Sequence, residues 1–505
     1  MPECTVETET RAEINRQIQE AYINLALALR QAGEYEEAAA SLRKAIERDP
    51  QVATPYLALG LVLNDAGQYA GAEEALRQAL ERTTEREAQA AAYAALGTAL
   101  QGLKRYAEAA DAFQEALRGQ ETSELYTRLG ECLYFSDREE EALAALEQAL
   151  ALEPDNAQAL ACKGDVLRWL GRYDEAVAAL DRATGLDPDD EWAWARKGEA
   201  LRLAGRYEEA IAALDRATEL DPDYEWAWAS KGAALAQVGR YDQAIAALDR
   251  ATELKPDYEW AWARKGAALA LAGRHDQALA ALDRAIELKP DDEWAWVWKG
   301  VALFLAGRYE EAIAALDRAI ELKPDDEWAW AVKGAALAQA GRYDQAIAAL
   351  DRATELKPDY EFAWASKGAA LAQAGRYDEA VAALDRAIAL DPDDSWSYYQ
   401  RGLCHLALNQ PEQAASDFAA AIGHAQAYLN RRPEDAREQF NLALYILAAG
   451  QTEPALQAYR AALKLNPSPF VLREALQDLA DLKKQMGSVP AIERAEQLLR
   501  EHSPE

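Results

Sequence analysis

Pairs of tryptophans two residues apart return at one fixed interval: Trp192/Trp194, Trp226/Trp228, Trp260/Trp262, Trp294/Trp296 and Trp328/Trp330, each pair 34 residues after the last. The surrounding text returns in step, from Lys197-Gly198 through Gly205-Arg206-Tyr207 and Ala210 to Leu214, Ala217 and Pro222. Such a period makes the chain an array of small units that complete one another's core. It displaces the ordinary expectation of roughly three globular domains for 505 residues.

Each unit is numbered here from the residue before its first tryptophan. Gly then stands at position 8, Ala at 20 and 27, and Pro at 32. The local chemistry predicts two helices and a turn. Asp223 ahead of Glu225 offers acceptor oxygens and negative charge to the free N–H groups at the start of a first helix, A. Gly205 supplies the left-handed residue that ends helix A, and Pro222, lacking a donor, closes the second helix, B.

The pattern of Gly at 8, Ala at 20 and 27 and Pro at 32 resembles the tetratricopeptide repeat. That resemblance implies an all-α fold, an α-solenoid in which antiparallel helix pairs stack into a right-handed superhelix. The register assigns residues 1–18 to an N-terminal extension, 19–190 to diverged units, 191–394 to six near-identical units and 395–469 to two more, thirteen in all. Residues 470–505, with Leu472, Leu476, Leu479 and Leu482 at helical spacing, read as closing helices.

Half of the residues are hydrophobic and 28% are charged, yet no run approaches the roughly 18 apolar residues of a membrane span. Met1 to Arg16 is acidic and has none of the apolar core of a signal peptide. Four cysteines without CxxC spacing fit a reduced cytoplasm. A net charge of −33 argues against nucleic acid and favours basic partners, most of all near residues 1–156, where 29 acidic side chains face 14 basic ones.

Catalytic chemistry is not visible. His275, His405, His424 and His502 are scattered, and no HExxH, GxSxG or phosphate-binding glycine loop occurs. The expectation is a non-enzyme that needs no metal and no cofactor.

The tryptophan pair carries the functional information. At about 100° per residue, positions 4, 8 and 11 share one helix face, and positions 2, 6, 9 and 13 share nearly the opposite one. Trp194 therefore falls with Gly198 and Leu201 on the core side. Trp192 projects with Arg196, Glu199 and Leu203 on the side that lines the concave groove in the family. One ring per unit gives a ladder: Trp192, Trp226, Trp260, Trp294, Trp328, Phe362 and Trp396. The near-copies differ most on that face. Position 6 reads Arg196, Ser230, Arg264, Trp298, Val332, Ser366, and position 12 reads Arg202, Ala236, Ala270, Phe304, Ala338, Ala372. An alternative places the rungs against the preceding loop, on Tyr224 or Tyr258, where they only stiffen the array.

Family members that grip acidic C-terminal tails use a basic and amide clamp at positions 5 and 9. Here those positions hold Ala195, Ala229 and Ala263, and Glu199, Ala233 and Ala267. The resulting expectation is a scaffold that binds a protein or peptide, apolar, aromatic or basic, along the groove. Trp298 and Phe304 would join the ladder as site residues. A binder of carbohydrate or of a quaternary ammonium ion is one alternative, and a spacer or self-assembling homo-oligomer is another.

Overall fold

The computed structural model describes residues 3–467, 469–487 and 489–502, and among them every regular element is an α-helix. Helices A and B alternate in the 34-residue register. In one unit they are Glu191–Leu203 and Tyr207–Leu220, and five steps later they are Glu361–Gln373 and Tyr377–Leu390. The fold class is an α-solenoid. The first helix runs unbroken over Glu3–Gln31, so the residues before 19 continue directly into helix A of the first unit.

The array divides into two compact blocks, Met1–Gly239 and Arg240–Glu505. Within each block A helices pack on their own B helices and on the B helices before them, and most also touch the next A helix. Successive B helices stand apart until the last pairs of the second block. The A helices therefore form the closely spaced wall of each block.

One contact repeats through the array. A methyl group added to the position-8 glycine would lie 2.5 Å from Leu316 Cγ at Gly300, 2.5 Å from Leu384 Cγ at Gly368 and 2.7 Å from Phe113 at Gly97. Those partners on helix B are fully buried. A glycine inside a helix costs about 1 kcal/mol relative to alanine, and it is kept because only a hydrogen fits where the two helices cross. The turn glycine behaves as expected, with φ near +77° at Gly205 and +76° at Gly375. In diverged units the same left-handed position is held by Lys104, Asp137 and Asn409.

Two expectations about helix A are corrected by the structure. The N-cap is the residue directly before position 1, not the one before it. Where that residue is aspartate (Asp190, Asp292, Asp326, Asp394), its carboxylate accepts from backbone N–H groups of the first turn. Where it is Tyr224, Tyr258 or Tyr360, no side-chain cap forms. The position-4 tryptophans are also not the deep core. Alanines at positions 3 and 5 take that place, Ala193 and Ala195 being fully buried, whereas Trp194 is only half-buried.

Each position-4 indole instead clasps the joint between units. Its Nε1 donates to the carbonyl of the proline six residues earlier, 3.0 Å for Trp194 to Pro188 and 3.0 Å for Trp296 to Pro290. The ammonium of position 7 stands over the ring, 4.5 Å away at Lys197 and 5.1 Å at Lys299. That ammonium also reaches an aspartate on the preceding B helix, Asp181 at 2.7 Å and Asp283 at 2.6 Å respectively. Loop, ring, cation and carboxylate thus tie each unit to its neighbour.

At the end of the second block, Pro469–Met486 and Pro490–Arg500 pack on the last A and B helices. The first of these closing helices also faces helices A of earlier units. A cavity of about 440 Å³ lies between Phe304 and Trp396 on one side and Glu474, Gln477 and Asp478 on the other. His275 opens a B helix and faces Arg473 of the same closing helix across a further cavity.

Candidate functional site

Positions 2 and 6 lie one helical turn apart on the same face of helix A. The structure interleaves them across units. In the first block the Arg196 guanidinium sits 5.1 Å from the centroid of Trp192 and 4.3 Å from that of Trp226, the rung of the next unit, with its Nε 3.7 Å from Asp165. In the second block Arg264 lies 5.2 Å from Trp260 and 4.1 Å from Trp294. Trp298 occupies the next slot, 5.6 Å from Trp294 and 5.2 Å from Trp328. Position 6 is thus a wedge between successive rungs, each cation–π contact contributing about 0.5–2 kcal/mol.

The rungs are half-buried, except Phe362 at 41% exposed. Units with a tyrosine cap add a further ring, Tyr224 lying 6.1 Å from Trp226, Tyr258 6.0 Å from Trp260 and Tyr360 6.0 Å from Phe362. The loop tyrosines and the wedges therefore pack on the same rungs, and the outer edges of those rungs remain in solvent.

Chemistry changes along this face. Glu199 and Arg202, at positions 9 and 12, form a bidentate pair at 2.7 and 2.8 Å, and Asp165 pairs with Arg168 at 2.8 Å. The equivalent residues in the second block are Ala267 with Ala270 and Val301 with Phe304. Units 157–190 and 191–224 carry charge there, whereas Ala233 with Ala236 in the first block and the near-identical units of the second present methyl groups and a ring.

Models of the tetratricopeptide repeat match residues 26–65, 51–122, 128–191, 163–225, 235–297, 303–371, 368–409 and 399–468. The chain belongs to the tetratricopeptide-repeat family. Comparison with curated proteins gives no match. Among solved structures the tetratricopeptide array is similar to the Cut9–Hcn1 hetero-tetramer of the APC/C, at 17% identity over 80% of this chain and 93% of that one, with a TM-score of 0.48. It is similar to yeast Tom70 at 15% identity over 82% and 100%, with a TM-score of 0.41. YrrB, described as a TPR protein with an unusual peptide-binding site, is 29% identical over 37% of this chain and 96% of its own, with a TM-score of 0.33.

Membership makes the chain a repeat scaffold of the general kind that serves protein interaction, and such arrays are generally non-enzymatic. Among the described residues no group of histidine, cysteine or carboxylate side chains could hold a metal ion, and no helix is long and apolar enough to cross a membrane.

The structure brings Trp260, Trp294, Trp298 and Trp328 into one continuous band in the second block, and Trp192 and Trp226 into another in the first. It does not add Phe304 or Trp396 to either band through such a stack. Phe304 lies against Tyr309 at 5.8 Å, and Trp396 packs on Tyr399 at 5.3 Å within the C-terminal core. Position 5 is turned inward, with Ala195, Ala229 and Ala263 buried, so it could not present a clamp residue to solvent. Sequence periodicity identified position 6 as variable but missed its role as a wedge. The signal was its four-residue spacing from the rung.

Proposed function

We propose that the chain is a non-enzymatic scaffold that docks a peptide or a partner's helix along the bands of rungs and wedges on the A helices of its blocks. One observation carries this reading. Among near-identical units the crossing glycine, the turn glycine and the position-4 tryptophan do not change, while the wedge passes from Arg196 to Ser230, Arg264, Trp298, Val332 and Ser366. A surface whose chemistry steps from unit to unit over a constant frame is what sequence-selective recognition needs.

Trp298 supports the same reading. Its indole N–H is buried without an acceptor, a cost of about 1–3 kcal/mol that an apolar wedge would avoid. Tight internal packing alone does not favour such a residue. The exposed Phe362 and the half-exposed tryptophans supply flat apolar contact, and the net charge of −33 draws basic segments toward it.

A display library of random dodecapeptides, selected on the full chain, tests the proposal. Enriched peptides should carry aromatic, aliphatic or basic residues, and they should lose affinity at least tenfold for the triple variant Trp294→Ala, Trp298→Ala, Trp328→Ala at unchanged helical circular dichroism. Failure to enrich any peptide, or equal affinity for the variant, overturns it.

A further inference from the structure

The first ladder begins at Trp192, and the slot on its N-terminal side lacks both a bulky wedge and an aromatic rung on its far side. In units 191–224, 259–292 and 293–326 the space beside a rung is closed by Arg196, Arg264 or Trp298, while units 225–258 and 361–394 keep an aromatic rung with the small Ser230 and Ser366. In unit 157–190 the rung position holds Gln158 and the wedge position holds Cys162, both far smaller than an indole. A cavity of about 520 Å³ results, walled by Trp192, Tyr134 and Phe135, the last 56% exposed.

The lining carries four carboxylates and no basic side chain. Asp165 is already matched by Arg168 and Arg196. Among the described residues the other three have no basic partner. Glu131 accepts from the amides of Gln101 and Gln158 at 3.1 and 2.6 Å and from the thiol of Cys162 at 3.4 Å, all neutral donors. Asp190 accepts from the backbone N–H of Ala193 at 3.0 Å, and Asp187 from that of Asp189 at 3.2 Å. Burial pushes the Asp190 carboxyl upward, with Asp187 and Glu191 adding to it, and burial beside Glu131 pushes the Cys162 thiol well up. Both directions report a half-enclosed site that is short of positive charge.

The array itself shows which chemistry closes such a slot. Arg196 lies between two indoles and next to Asp165, and Arg264 repeats the two-indole stack without any change of frame. A guanidinium suits the place because it is planar enough to stack, weakly hydrated, and able to bond two carboxylates at once. An anion would meet Glu131, Asp187 and Asp190 together. A purely apolar side chain would cover the half-buried Glu131 and Asp190 without matching their charge.

We propose that this cavity receives an arginine side chain of a docked peptide, its guanidinium stacked on Trp192 and bonded to Glu131 and Asp190. The proposal rests on the scaffold reading and narrows it, naming one anchor residue and the end of the first block's band where it enters.

The probe is a capped heptapeptide with a central arginine flanked by leucines, compared with the same peptide carrying citrulline, the neutral isostere. Titration against the full chain, followed by tryptophan fluorescence, should show at least tenfold tighter binding of the arginine peptide, and the advantage should shrink with added salt. Cys162→Arg places a guanidinium in the slot from within and should abolish that advantage. Glu131→Gln and the exposed change Phe135→Ala should each reduce affinity about fivefold with helicity intact.

Equal affinity for the two peptides, no binding of the arginine peptide at 1 mM, or an unaltered advantage in both Cys162→Arg and Glu131→Gln would overturn the proposal. If the arginine and citrulline peptides behave alike while display-selected peptides still bind the Trp294–Trp328 band, the anchor assignment fails alone. If no peptide of either kind binds, the scaffold reading falls with it.

Discussion

Gly368→Ala adds a single methyl group where the structure leaves no room for one. The new carbon would sit 2.5 Å from Leu384 Cγ and 2.8 Å from its Cδ2, and Leu384 is fully buried. Ordinary carbon contacts are about 3.5–4.0 Å, so the two helices must part by roughly 1 Å or the leucine must leave its rotamer. Overpacking of this kind costs about 1–3 kcal/mol, against about 1 kcal/mol returned by alanine's better helix propensity. The expected net loss is about 1 kcal/mol. Leu384→Ala alone empties the other side of the contact and should cost about 2–5 kcal/mol. In the double variant the added methyl enters the space the leucine gave up, so the two losses should fall short of additivity by about 1 kcal/mol or more.

A long array does not unfold in one step. The proper readout is therefore hydrogen exchange of peptides from residues 361–390, with urea melts of the whole chain beside it. Gly375→Ala is the control, because nothing lies within 4 Å of its missing methyl and only its φ of +76° resists substitution. Stabilisation by Gly368→Ala, or strict additivity in the double variant, would refute the close crossing of helices A and B.

Three further outcomes follow from the same geometry. Trp296→Phe keeps most of the ring but loses the bond to the Pro290 carbonyl, and should cost about 1 kcal/mol, seen as a lower urea midpoint and felt in the preceding unit as well. Lys299→Met removes the contact to Asp283 and should cost no more than about 1 kcal/mol, an effect that fades with salt, since that aspartate is 53% exposed. Burial pushes Asp478 up to about 7, with Glu474 and Asp481 adding and Arg437 opposing, and it pushes Glu361 to about 7 with help from Asp394 and Asp391. A carboxyl raised on folding stabilises the fold fully below its unfolded value, and that stability is lost as pH rises through about 7. The second block should therefore melt lower at pH 8 than at pH 5, and Asp478→Asn should flatten that dependence; a melting point that rises toward pH 8 would contradict it.

The helix pairs, the crossing at Gly198 and the left-handed turn at Gly205 were legible because each depends on one residue type at one place in the period. The division of labour between the tryptophans was legible only in part. Helical angle says that Trp192 and Trp194 face apart, but the side chains that cover them come from neighbouring units, and no single-helix projection contains those. Trp194 therefore turns out to clasp a loop, and Trp192 to be half-covered by Arg196. The cap was misplaced by one residue because Asp223 and Asp190 look alike in sequence, and only backbone geometry separates the capping residue from the one before it. The closing helix facing Phe304 and Trp396 joins residues more than seventy apart, beyond the reach of any local pattern.

The central claim is that the variable wedge is read by a partner, and Trp298→Arg tests it most directly. Arg264 already holds the same place between Trp260 and Trp294, so the substitution keeps the stack and removes the buried indole N–H that lacks an acceptor. Thermal stability should stay within about 1 kcal/mol of the parent. Titration of peptides selected on the parent chain should then show at least a tenfold loss of affinity, and a fresh selection on the variant should enrich different residues at the matching position. Unchanged affinity together with an unchanged selection would show that the wedge only fills space.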